Sequence, residues 1–198
     1  MADLKGSKIG VSRIGSGSYV ISFVFADSQG WLSSSNGEKQ PFENIPLETF
    51  ERLRNGVNGG TVDFFMWEHF TSKRYYDNGE IRKVGEIYTP WPSWQIVANP
   101  GLVEDERLED LFEKIDKGVE HFNAHHDEAV KYISTELDYS EEDAREWLKT
   151  VRFATKTRGV DTNVVEKTVD ILKKAGVLKD SGMKPASMIG TQSGAQLP

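Results

Sequence analysis

Apolar and polar positions divide the 198 residues into two stretches of different character. From Lys8 to Ala98, apolar runs of strand length alternate with amphipathic ones. From Val103 onward, apolar residues recur at helical spacing only. Lys8–Ile14 reads as a short strand, Gly15-Ser16-Gly17-Ser18 as a tight turn, and Tyr19–Trp31 as an apolar helix. Ser33–Pro41 reads as a polar surface loop. Phe42–Leu47 predicts a second strand, placed at an edge by Pro46. Leu47, Phe50, Leu53 and Val57 then mark a helix, ended by Asn55-Gly56 and Asn58-Gly59-Gly60. Thr61–Trp67 is the clearest strand, and its near-continuous apolar run fits a parallel strand covered on both faces. Phe70–Asp77 predicts a short helix, and Val84–Tyr88 and Ser93–Ala98 read as strand pieces around Pro90-Trp91-Pro92.

In the second stretch, Leu108, Leu111, Phe112, Ile115, Val119 and Phe122 form one helical stripe, and His126–Leu137 a second helix. Ser140 caps a third, with an acidic first turn, and Thr162–Ala175 is the last, closed by Gly176. From Lys179 a Gly-, Ser-, Pro- and Gln-containing tail is expected to be disordered. The fold class is therefore α/β, with right-handed crossovers building a mostly parallel sheet flanked by helices. The chain is expected to divide into an α/β lobe at 8–98, a helical segment at 99–178 and the tail at 179–198.

Composition narrows the function. A net charge of −7 and a pI near 5.2, with basic and acidic residues intermixed, leave no concentrated basic face for nucleic acid or an anionic membrane. With no cysteine there is no disulfide, thiolate metal site, iron–sulfur cluster or cysteine nucleophile. Met1–Lys8 has no apolar stretch of signal-peptide type, and the apolar run Tyr19–Ala26 is too short to span a bilayer. A cytoplasmic, soluble protein is expected.

The candidate chemistry sits where strands run into helices. A strand that turns through small residues into a helix aims free backbone N–H groups and a positive dipole end at one point, which suits an anion or polar ligand head. Ser16, Gly17, Ser18 and the following Tyr19 are the candidates there; Ser and Gly are also preferred helix caps in the absence of any ligand. The turn lacks the spacing of a dinucleotide fingerprint or a nucleotide P-loop. Trp67, Glu68 and His69 follow the clearest strand, at the end where open α/β sheets bind ligands. Trp67 stacks on a flat ring or belongs to the core; Glu68 accepts a hydrogen bond from an amine or opens the next helix. Trp91 and Trp94 flank Pro92, where rigid aromatics line a cleft or pack against a neighbouring lobe. His121, His125 and His126 invite a metal reading, but zinc needs three or four converging ligands, and ordinary surface histidines are expected. No catalytic triad or nucleophile elbow is present. No catalytic residue, metal or cofactor is assigned.

The order of strand, Gly-Ser-Gly-Ser turn, helix, strand, helix, Val62-Asp63-Phe64-Phe65-Met66-Trp67-Glu68 strand and Pro-Trp segment resembles the type 2 periplasmic-binding-protein fold. It looks most like the branch that binds sulfonates, nitrate, riboflavin and the thiamine pyrimidine, and its cytosolic fungal members. Asp63–Phe70 is similar to that branch's strand ending in Trp-Glu/Asp, and the resemblance runs from about Lys8 to Leu178. It implies two lobes around a cleft. The chain matches from the crossing into lobe two, so an N-terminally truncated version is expected: one complete lobe, then the helical part of an incomplete second lobe. The resemblance implies a small-molecule-binding protein whose ligand is an anionic or heteroaromatic metabolite such as a pyrimidine, with no enzymatic activity. Two alternatives stay open: a thiamine-pyrimidine synthase-like enzyme using His69, set against the absent cysteines, and a non-binding relic that forms a homodimer through the uncovered side of the cleft.

Overall fold

Ile9 and Val11 alternate with Gly10, and this alternation decides how the sheet is covered. In the computed structural model, which describes residues 2–32, 40–92, 94–102, 105–137, 139–174, 176–179, 182 and 184–190, three strands are found: β1 (Lys8–Val11), β2 (Glu43–Pro46) and β3 (Phe64–Phe65). They form a parallel sheet in the order β2-β1-β3. Ile9 lies opposite Asn44 on one side and Phe64 on the other; Gly10 lies between Ile45 and Phe65. Residues 33–39 of the loop read at Ser33–Pro41 and 191–198 of the tail lie outside the described residues, as do Ser93 and Ala175.

One face of β1 buries Ile9 and Val11 against Phe25 and Ala26 of helix α1 (Gly17–Ser28), with Phe42 and Phe64. Phe25 stacks on Phe42 at 6.0 Å, and Phe42 meets Phe64 edge-on at 5.4 Å. Each fully buried large apolar side chain contributes about 1.5–3 kcal/mol, so this cluster anchors the lobe. Leu4, in a short 3₁₀ turn at Ala2–Leu4 that the sequence pattern did not show, and Ile87 close its rim.

The other face belongs to helix α2 (Phe50–Asn58), capped by the Thr49 hydroxyl, which accepts from the Arg52 amide. Gly10 faces it. A Cβ at that position would sit 2.8 Å from Leu53 Cδ2 and 3.3 Å from Val62 Cγ2, so a larger residue would have to displace the Leu53 side chain for the helix to lie this close to the strand. Gly56 is equally confined, by Leu47 and Val62. The helix therefore runs through Asn55-Gly56, read above as a terminator, because close packing on the sheet outweighs the local propensity of that glycine. Helix α3 (His69–Asp77) follows β3.

The chain falls into two compact units, Met1–Trp91 with Thr168–Ser181, and Pro92–Lys167 with Gly182–Pro198. The second is helical: α4 (Glu106–Ala124), α5 (His126–Glu136), α6 (Glu141–Thr150) and the start of α7 (Thr162–Lys174). Its core is Val130, Ile133 and Ala144, covered by Tyr139, Trp147 and Leu148. The Asp116 carboxylate accepts 2.8 Å hydrogen bonds from the Thr157 amide and hydroxyl, tying α4 to the segment before α7.

Two expectations are corrected. Val84–Tyr88 and the described part of Ser93–Ala98 form no strand. Extended backbone becomes a strand only when paired, and no described residue pairs with either piece. Except for Ile87 on the core rim, their apolar side chains instead face solvent, Tyr88 being 82% and Trp94 90% exposed. Within the tail expected to be disordered, Pro185–Met188 forms a 3₁₀ turn. Among the described residues no helix is long and apolar enough to cross a membrane.

Candidate functional site

The order β2-β1-β3 creates a division at the carboxyl edge of the sheet. The connection leaving β1 runs through α1 to β2 on one side. The connection leaving β2 runs through α2 to β3 on the other. Such a switch point opens a crevice beyond the carboxyl ends of the strands, where open α/β sheets take their ligands. Extending the register of Gly10 with Phe65 sets Val11 beside Met66 and Ser12 beside Trp67, with strands on the order of 5 Å apart. The turn Ser12–Ser18 and the segment Met66–His69 thus leave neighbouring strands at the same edge.

Gly15, at φ +80°, supplies the left-handed turn that ends β1. Ser16, 3% exposed, caps α1: its Oγ accepts from the Tyr19 amide at 3.3 Å and lies 3.0 Å from Ser18 Oγ. Ser18 Oγ also accepts from the Ser12 amide at 3.2 Å. Protons can be counted through this network. Either hydroxyl can donate in the Ser16–Ser18 bond, and donation by the buried Ser16 gives its proton a partner. In that arrangement Ser18 Oγ accepts twice and has its own proton for an outside partner. The Tyr19 amide is taken by Ser16 Oγ and the Val20 amide by the Ser16 carbonyl. What the turn presents outward is the amides of Gly17 and Ser18 and one hydroxyl proton, all donors, at the positive end of a helix dipole. The Tyr19 ring turns away, packing on the core and meeting Phe23 edge-on at 5.0 Å.

At the end of β3, Trp67 is 40% exposed and lies flat on Phe50 of α2, with centroids 5.0 Å apart and planes 11° from parallel. It is neither a core residue nor free on both faces. Glu68 is the N-cap of α3; its Oε2 accepts from the Thr71 amide and hydroxyl, both at 2.7 Å. His69 opens α3, with Nδ1 3.2 Å from Lys83 Nζ and Nε2 3.4 Å from the Tyr76 hydroxyl. Trp91 is half-buried, its carbonyl accepting from the Thr89 hydroxyl at 3.0 Å. Among the described residues no hydrogen bond or ring contact joins it to the other candidates.

Lys83, Glu86, Tyr88 and Tyr76, gathered around His69, were not singled out by sequence reasoning. Lys83 Nζ donates to Glu86 Oε2 at 2.6 Å, which holds the Lys83 pKa above and the Glu86 carboxyl below their ordinary values. Glu86 also pushes the Tyr88 hydroxyl pKa above its ordinary value. No motif announces this group, since its members are ordinary polar residues spread over twenty positions; only the return of segment 82–88 past α3 assembles it.

In the helical unit, His121 and His125 stack at 4.1 Å along α4, and His121 Nε2 lies 3.3 Å from Glu128 Oε2. They border a groove of about 500 Å³ with Gly118, Phe122, Tyr132 and Ile133. Among the described residues no group of three or more His, Asp or Glu side chains is arranged to hold a metal ion.

Comparison with known proteins agrees with this architecture. A solved structure of the Candida albicans CA3427 gene product, which exhibits the generic periplasmic binding protein structural fold, superposes with a TM-score of 0.82 at 41% sequence identity. The match covers all of this chain, and the chain spans 65% of the length of that one. The chain therefore has a periplasmic-binding-protein fold. Its residues 1–87 match the model of the Ca3427-like PBP family. No curated protein gave a significant match.

Proposed function

We propose that this chain is a small-molecule-binding protein of the periplasmic-binding-protein class, holding a small anionic or heteroaromatic metabolite at the carboxyl edge of β1 and β3. One observation carries the reading: the donor-only turn at Ser16–Ser18 and the half-exposed Trp67 indole leave adjacent parallel strands at the switch point of the sheet. The amides of Gly17 and Ser18 and the Ser18 hydroxyl meet a carboxylate, sulfonate, phosphate or ring oxygen. The Trp67 face meets a flat ring such as a pyrimidine. Glu68 caps α3 through Oε2, and its carboxylate is the acceptor of the set for an amine or ring N–H. His69 is held by Lys83 and Tyr76, which favours a supporting part in the site over a reacting one. Trp91 completes the set as an aromatic wall. Calorimetric titration with inorganic phosphate, an alkyl sulfonate, riboflavin and an aminopyrimidine tests this. Saturable heat with at least one is expected; a folded chain silent to all four contradicts it.

A second reading, self-association of two copies, is favoured by the exposed apolar side chains of Val84, Tyr88, Trp94 and Val97. Sedimentation equilibrium is expected to give a dimer, and a clean monomer at high concentration contradicts it.

A further inference from the structure

Four aromatic rings meet where β3 ends, and none of them belongs to the buried cluster around β1. Phe50, Phe65 and Tyr75 are half-buried, and Trp67 is exposed. Into this group α2 sends a charged side chain. Arg54 is only 12% exposed, with its guanidinium 3.7 Å from the Tyr75 centroid and 4.8 Å from that of Phe50. Its Nε donates to Glu80 Oε1 at 2.6 Å. Sinking a cation this far costs desolvation, a cost that a methionine of similar reach between the rings would not carry. What the guanidinium adds is a fixed plane, tied by a carboxylate and laid over two rings.

Contacts lead from that plane to the indole. Arg54 stands one helical turn after Phe50, on the same side of α2. Phe50 meets Tyr75 edge-on at 5.3 Å and Phe65 edge-on at 5.9 Å, and Trp67 lies on it at 5.0 Å. One guanidinium thus joins α2, α3 and the end of β3.

We propose that Arg54 is the positioning residue of Trp67: it sets the plane of the indole, and through it the affinity for flat-ring ligands but not for bare anions. The ligand half of this rests on the binding function proposed above.

The separation between ring and anion follows from the contacts. The Ser16 and Ser18 hydroxyls bond to each other and to the Ser12 and Tyr19 amides. Among the described residues no hydrogen bond or ring contact joins them to Phe50, Tyr75 or Arg54, so an anion held there does not feel the arginine. A flat ring does, because it needs a stacking partner already held in place. An indole free to tilt pays its ordering cost at the moment of binding.

The test is Arg54→Lys in the whole chain, which keeps the charge beside Glu80 and loses the plane. Two readouts are taken. In NMR without ligand, the Trp67 indole signal, shifted by the Phe50 ring beneath it, is expected to move toward its random-coil position. The Trp31 indole, packed on the β1 core, is expected to stay. In calorimetry, the affinity for riboflavin or an aminopyrimidine is expected to fall about two- to tenfold, the worth of an aromatic stack, with that for inorganic phosphate unchanged. Should Arg54→Lys shift Trp31 as well or fail to fold, Glu80→Gln, which removes only the anchoring charge, decides by the same readouts. A Trp67 signal that stays fixed overturns the proposal, as does an equal change in ring and phosphate affinity. Wild type silent to every ligand overturns the binding function instead, and the Trp67 signal still decides whether Arg54 positions the indole.

Discussion

The Trp67 indole rests on the Phe50 ring at 5.0 Å, joining the end of β3 to the first turn of α2. Phe50 also meets Phe65 and Tyr75 edge-on, and the Arg54 guanidinium lies 3.7 Å from the Tyr75 centroid while bonding Glu80 at 2.6 Å. The Phe50-facing side of the indole is thus held by a braced aromatic cluster, and the residue stays 40% exposed.

It follows that Trp67 contributes to stability through this stack, by less than a fully buried tryptophan would. Trp67→Ala is expected to cost about 1–2 kcal/mol, against the ~3–5 of a core aromatic. Trp67→Phe, which keeps the stack, is expected to lose less than half of that. Urea unfolding of the two variants decides; equal losses contradict the stacking account.

Much of this lobe was legible because its determinants are local. Ile9 and Val11 alternate with Gly10, Ser16 caps three residues ahead, and Phe50, Leu53 and Val57 recur at helical spacing, so β1, α1 and α2 follow from short-range pattern and capping chemistry. What escaped depends on partners distant in the chain. Nothing near Trp67 names Phe50 as its support. Nothing near His69 names Lys83 and Glu86. Val84–Tyr88 has the alternation of a strand, but alternation cannot report whether a neighbouring strand is present to pair with it. The same limit applies to Gly56, where close approach to Leu47 and Val62 keeps a glycine inside a helix that its neighbours seemed to end.

Gly10 is the point where sheet and α2 come closest. Gly10→Ala is expected to destabilise the chain by about 1–3 kcal/mol through overpacking against Leu53 and Val62. Gly17→Ala, where an added Cβ meets nothing within 4 Å, is expected to be neutral or slightly stabilising. Thermal unfolding of the pair separates a steric from a merely conformational need for glycine; equal effects contradict it.

In the helical unit, Asp105 caps α4, accepting from the Arg107 amide at 2.9 Å, and bonds to the Arg107 side chain and amide hold its pKa down to about 2. A depressed carboxyl contributes stability above its unfolded pKa, about 3.9, and loses it as pH falls through the folded value. The cap is therefore expected to weaken between about pH 4 and 2, and not at neutral pH. Asp105→Ser, a cap that does not titrate, is expected to remove that acid sensitivity from the first turn of α4. Carboxyl NMR of Asp105 checks the value directly, and a midpoint near 4 contradicts it.

The turn at the head of α1 has a folding role and a proposed ligand role, and one substitution separates the two. An aspartate at Gly17 places a negative charge at the positive end of the helix, which favours the fold by about 0.3–1 kcal/mol, and occupies the point where an anion would sit. Isothermal titration of the wild type and Gly17→Asp with phosphate and an alkyl sulfonate is the most direct measurement. Saturable heat in the wild type, lost at least tenfold in affinity in a variant that melts no lower, is the predicted result. Equal binding by the two proteins, or none by the wild type, contradicts an anion-binding cleft at Ser16–Ser18.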